Sequence, residues 1–346
     1  MKHPFRSLLS LTLAATFWAC SILPAYALNR SDALQQAVDY VYSNLPSPQV
    51  GSTGGEWAVL GLARSGASIP QAWYNTYRKA LIDLTLQEQG VLSTRKYTEY
   101  ARVVLALTAL GDDPRCVAGY NMLTPLENME QTVRQGVNGA IYALIALDCG
   151  NYSAPEGLRE WYLMYLLNAQ LPDGGWALAG EQADPDLTAQ ALQALAPYAE
   201  SVQPAIQRGL DCLVELREQG AFSTLESYAQ TILALCALGQ QPDDQLVADF
   251  LSYQLPSGGF CHLFGGTADS MASEQGLCAL VALDRLERGA PSIYQMSDVR
   301  PAGDPIEKGN DNLFQGALLC TGLSLLPLSI LGQGIPICLP NFEVTP

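Results

Sequence analysis

The chain has 346 residues, 49% of them hydrophobic and 15% charged, with a formal net charge of −16. That composition suits a packed core and excludes an intrinsically disordered chain. With 18 Lys and Arg against 34 Asp and Glu, and no basic run that could track a phosphate backbone, nucleic acid is excluded as an expected partner.

The N-terminus carries a targeting pattern. Lys2 and Arg6 form a basic start, Leu8 to Ala19 an apolar core, and Ala25-Tyr26-Ala27 a small-residue cleavage site. Residues 1–27 are therefore expected to be a signal peptide, with a mature, exported chain beginning near Leu28. Cys20 offers a competing use as a lipid-attachment cysteine, but Trp18-Ala19 ahead of it fits that use badly.

Beyond the leader, two kinds of predicted helix alternate. The first kind is amphipathic and falls at 31–44, 70–88, 122–134, 156–170, 201–218 and 243–254. Leu158, Trp161, Tyr162, Tyr165 and Leu166 show its helical spacing. The second kind is richer in small and aliphatic residues and falls at 54–66, 97–113, 138–150, 186–198, 225–239 and 273–286. Each of these runs reaches a similar leucine: Leu62, Leu110, Leu147, Leu195, Leu238 or Leu283. Those leucines recur every 37–48 residues, a period that marks a repeat architecture. Gly and Pro cluster between the runs, as in GSTGG, GDDP, LPDGGW and LPSGGF, and β-branched alternation is scarce, so strands are not expected.

Six pairs make twelve helices. The apolar members should be buried on most sides and the amphipathic members should face water. Two such layers close naturally into a ring, and the expected fold is an all-α, α/α toroid over 28–298; a linear solenoid is the competing arrangement. Residues 289–312 read as a linker, of which 299–312 lies beyond the domain. From Leu313 to Phe342 no residue is charged, and Gly316 to Gly332 is long enough for a marginal membrane span. The tail 313–346 is thus either a membrane anchor or a buried segment: length favours the anchor, while Pro327 and the lack of a following Lys or Arg do not.

Export permits disulfides. Cys116, Cys149, Cys212, Cys236, Cys261 and Cys278 lie in the body, and six cysteines allow 15 pairings that sequence does not choose among. No two are spaced as C-x-x-C, so no metal site is expected.

The segment QLPDGGWAL at 170–178 resembles the Q-x-x-D-G-G-W element of the prenyltransferase and squalene cyclase repeat. QLPSGGF at 254–260 is a weaker second copy, with Phe260 in place of the Trp. The likeness extends over roughly 29–298. It implies an α/α toroid, a fold shared by terpene cyclases, protein prenyltransferases, complement thioester domains and the vitamin B12 carriers of the transcobalamin and intrinsic factor type. The pattern looks most like that of exported bacterial proteins described by this repeat. Such a likeness speaks to fold and leaves function to the site.

Three chemistries of that family can be weighed on residues. The cyclase acid D-x-D-D-T-A is matched by Asp184, Asp186, Thr188 and Ala189, but Leu187 stands where the family has the carboxylate that sustains the acid. Capping accounts for the same residues: Asp184 as N-cap, Pro185 at the first helical position, Asp186 in the first turn. The prenyltransferase zinc site has no counterpart, because His262 is the one histidine of the mature chain and Asp211-Cys212 has the wrong spacing. ASEQG at 272–276 resembles the thioester element, yet Ala272 replaces its cysteine, so that bond cannot form.

What remains is a cavity. The starts of the apolar helices carry Glu99, Arg102, Asn138, Asp186, Gln190, Glu226, Gln230, Glu274 and Gln275, with Asp184, Trp57 and Tyr100 close in sequence. In a ring these gather at one mouth, the usual form of a small-molecule site. Thr53 to Glu56 and Ser223 to Glu226 also read as capping boxes, which leaves Glu99 and Glu274 as the better cavity residues. Trp176 is expected to pack between hairpins. The expected function is a non-catalytic, exported module that binds a small molecule or peptide, with corrinoid and isoprenoid ligands both open and no cofactor required. A terpene cyclase-like enzyme using Asp186 as general acid and a structural cell-surface module are the alternatives.

Overall fold

The computed structural model describes residues 30–300. The segments expected to be a signal peptide, the outer part of the linker and the apolar tail lie outside the described residues. Among the described residues the chain is all-α: 11 helices joined by turns, with no strand. They are α1 (Arg30–Asn44), α2 (Trp57–Arg64), α3 (Gln71–Gln87), α4 (Thr98–Ala109), α5 (Val137–Cys149), α6 (Leu158–Asn168), α7 (Pro185–Leu195), α8 (Ala199–Glu218), α9 (Leu225–Ala237), α10 (Asp244–Leu251) and α11 (Ser270–Glu287). None is long and apolar enough to cross a membrane.

The two predicted helix types differ in burial as expected. In α5 only Asn138 and Asp148 escape burial, which matches a helix apolar on every side. In α6 burial is confined to Leu158, Tyr162 and Leu166, a single stripe at a spacing of four. The buried helices are neighbours in the order α2, α4, α5, α7, α9, α11, and α11 packs back on α2. The amphipathic helices lie outside them: α6 on α5, α8 on α7, α10 on α9 and α1 on α11. At the α2–α11 contact a Cβ on Gly61 would come within 2.9 Å of the Leu277 side chain, so the absence of a side chain lets these helices meet.

The two copies of the glycine motif repeat each other bond for bond. Gln170 Nε2 donates to the carbonyls of Gly174 and Ala205, and Gln254 Nε2 to those of Gly258 and Ala33. Leu171 N–H donates to Gly175 O, and Leu255 N–H to Gly259 O. Trp176 N–H donates to Thr188 Oγ1, and Phe260 N–H to Ser273 Oγ. Trp176 is fully buried, with its indole N–H on Leu166 O at 2.8 Å, and so packs between hairpins. Ala205 belongs to α8 and Ala33 to α1. Each turn therefore clamps an amphipathic helix, and the second turn clamps the helix that starts the body.

Three expectations are corrected. Residues 122–134 do not form one helix but three short helical pieces, Thr124–Glu127, Met129–Thr132 and Val133–Gln135. Asn128 breaks the run: its backbone leaves helical geometry and its side chain caps Gln131 N–H. The helix expected at 54–66 begins only at Trp57, because Thr53 to Gly55 are non-helical. The third correction concerns the segment read as a linker from 289. Ile293, Tyr294 and Met296 are buried, and two buried arginines hold the segment at the carboxyl ends of α2 and α11. Arg64 donates to the carbonyls of Ser292, Ile293 and Gln295, and Arg285 to that of Pro291. Both pair with Asp298, at 2.9 and 2.5 Å. Residues 291–299 thus form a strap that closes this end.

Candidate functional site

The amino ends of the buried helices are stitched together around one face. Arg102 on α4 lies 3.5 Å from the Glu56 carboxylate just before α2. Thr98 N–H, at the start of α4, donates to Gln135 Oε1 just before α5. Ser227 on α9 donates to Asp186 on α7 at 2.7 Å. His262, ahead of α11, sits 2.8 Å from Glu226 on α9. Gly54 N–H, ahead of α2, donates to Glu274 on α11 at 2.7 Å. Six elements thus deliver polar groups to one mouth.

Carboxylates dominate that mouth. Glu56 accepts from Gly51 N–H and from the Tyr77 hydroxyl, yet burial pushes its pKa up to about 7. Burial likewise raises Glu274 to about 8, and the nearby Glu56 and Asp269 add to the rise. Asp186 is raised to about 6 by burial, with Asp184 and Glu226 adding to the rise and Ser227 opposing it. At the mouth itself two acceptor atoms are buried without a hydrogen-bond partner, Glu274 Oε2 and Asn138 Oδ1; Gln193 Oε1 is a third, deeper in the interior.

One helical turn deeper lies a cavity of about 40 Å³, lined by Trp57, Tyr142, Gln190, Gln230, Leu233, Gln275, Cys278 and Tyr294. The Trp57 and Tyr142 rings meet at 5.7 Å. Three amides run in series: Gln193 donates to Gln230 Oε1, and Gln230 donates to Gln275 Oε1. Tyr294 enters from the strap, so the strap supplies part of the lining. Tyr294→Ala is expected to enlarge this cavity and lower stability by about 3 kcal/mol. Urea unfolding, together with xenon uptake, measures both effects.

The predicted site residues separate into two sets. Arg102, Asp186, Glu226 and Glu274 meet in the polar mouth, with half-buried Asn138 on the first turn of α5. Trp57, Gln190, Gln230 and Gln275 line the cavity. Tyr100 turns away: its hydroxyl donates to Ser93 O and its ring packs on Tyr97. Glu99 is half-buried and joins none of these contacts. Asp184 caps α7 through Leu187 N–H at 2.9 Å, as the capping interpretation expects. Asp184→Ala should therefore destabilise the protein by about 1 kcal/mol, readable as a shifted thermal midpoint.

Neither expected capping box forms. Thr53 Oγ1 turns to Met271 Sδ and no side chain caps α9, while the acidic members Glu56 and Glu226 turn to Gly51 and His262 instead. Glu56 was thereby undervalued, as was His262. Tyr142 is the one aromatic residue of the apolar α5 run, a sequence signal that would have found it. Of the six body cysteines, Cys149, Cys212, Cys236, Cys261 and Cys278 are buried free thiols. No protein-family model matches this chain, and no curated protein is similar to it.

Proposed function

We propose that this chain is an α/α toroid of the prenyltransferase and squalene cyclase repeat type, acting as a non-catalytic module that binds a small molecule or peptide at its polar mouth. Support for the toroid comes from the cyclic order of helix neighbours and from the second glycine turn gripping α1. The leader pattern and the apolar tail support export, with tethering to the envelope.

The observation that carries the binding role is the concentration of half-desolvated polar groups above a small interior cavity. Pockets that enclose a drug-sized ligand span roughly 300–1,000 Å³. The interior cavity is about 40 Å³, which favours capture at the mouth over enclosure of a corrinoid or long isoprenoid. Thermal-shift measurements against amines, short peptides, isoprenoids and corrinoids test this. A specific ligand raises the melting temperature by mass action. Silence across the panel would leave a structural cell-surface role.

One observation favours a second function. Asp186 is desolvated with its pKa raised to about 6, which makes it a competent proton donor near neutrality. On this alternative the protein is a cyclase-like isomerase. Conversion of squalene or a shorter prenyl substrate, abolished in Asp186→Asn, would establish it over simple binding.

A further inference from the structure

We propose that the mouth recognises a primary ammonium group, with Glu274 as its direct acceptor and the ligand's apolar stem resting against the rim. This rests on the binding role above and names the ligand chemistry.

The mouth has a surplus of acceptors. Glu274 is 3% exposed, one of its oxygens takes Gly54 N–H, and the other has no partner. The charges that act on it, Glu56 and Asp269, are both negative. Asn138 Oδ1 is a second buried acceptor without a donor. Glu274 and Asn138 stand one helical turn before Cys278 and Tyr142, which both line the central cavity, so both orphan acceptors lie on the inward face. Burial keeps a proton on Glu274 up to about pH 8, and a donor-rich cation that takes the proton's place leaves the buried carboxylate paired. Among the mouth groups brought together above, Arg102 is the one guanidinium, and it is engaged with Glu56.

The rim supplies the other half of the match. Leu178, Leu263 and Phe264 are 60%, 57% and 70% exposed. Leu178 lies over Gly136 at the start of α5, and Leu263 and Phe264 sit between His262 and α11. An open concavity of about 610 Å³ follows the loop from Ala177 to Leu187 beside this face. A carboxylate-lined mouth flanked by exposed apolar side chains fits an ammonium carried on an apolar stem. Both a peptide amino terminus and an alkylamine present that chemistry.

Calorimetric titration of the full chain with n-hexylamine, the peptide Leu-Leu-Gly and its N-acetylated form tests the assignment. Both free amines are expected to bind, and acetylation to weaken the peptide at least tenfold. Hexylamine binding without Leu-Leu-Gly binding assigns an alkylamine; the reverse assigns a peptide terminus. Glu274→Gln should weaken the free amines at least tenfold, and Arg102→Gln should strengthen them severalfold. Exposed Glu218→Gln serves as a control for bulk charge and should change nothing. Equal binding of the acetylated peptide would overturn the ammonium assignment while leaving a binding module in place. No binding by any probe, or an equal loss in Glu218→Gln, would overturn it as well.

Discussion

Gly258→Ala is expected to lower the unfolding free energy by about 3 kcal/mol, through backbone strain plus overpacking. Gly258 has φ +90°, and a Cβ there would sit 2.2 Å from the Gln36 carbonyl oxygen of α1. The turn and the helix backbone are both fixed by Gln254, so neither can retreat cheaply. Gly174 repeats the situation, with φ +91° and a Cβ position 2.5 Å from Arg208 O on α8. Gly66 separates the two costs, since its φ is +78° but nothing lies within 4 Å. Gly66→Ala should therefore cost only about 1 kcal/mol. Urea denaturation of the three variants decides the matter. Equal losses at Gly66 and Gly258 would mean that the clamp on α1 is not formed.

Stability is expected to fall by several kcal/mol between pH 5 and pH 9. A carboxyl whose folded-state pKa is raised holds its proton more tightly in the folded chain. Its contribution is fully present below the unfolded value and is lost as pH rises through the folded value. For Glu274 the window runs from 4.5 to about 8. At about 1.4 kcal/mol per unit, that is of the order of 5 kcal/mol from one residue. Glu56 acts in the same direction up to about 7, and Asp186 up to about 6. Asp113 and Asp243 have lowered pKa values and act oppositely, but only as pH falls below the ordinary aspartate value of 3.8. The stability maximum should thus lie near pH 5. Glu274→Gln should flatten the decline, which chemical denaturation at stepped pH will read directly; an unchanged slope would remove Glu274 as its source.

The buried helices were legible because their signal is local. A run such as AIYALIAL, apolar on every side, has no stable place but the interior, and α5 occupies it. The glycine turns were legible as punctuation, although the sequence could not say that their glutamines reach α8 and α1. Residues 291–299 failed as a prediction for a physical reason. Three of their carbonyl groups are held by Arg64, 228 to 231 positions away, and carbonyls carry no sequence signature. The capping boxes failed similarly. A Glu three residues after Thr or Ser satisfies the local pattern, but tertiary partners, Tyr77 for Glu56 and His262 for Glu226, competed and won. The mouth was visible as a set of residues, while its imbalance between acceptors and donors emerged only from the packed geometry.

The clamp on α1 has a consequence for the order in which the molecule can be built. Ribosomes deliver α1 first and α11 last, yet α1 packs against α11, and Arg30 pairs with Glu287 at 2.6 Å. Until α11 exists, α1 lacks its main packing neighbour. A stacked linear array could consolidate from its leading end while the remainder is still being made. Here the earliest helix waits for the latest, so folding is a late event in the life of the nascent chain. Such long-range closure slows folding and prolongs the exposure of apolar surface.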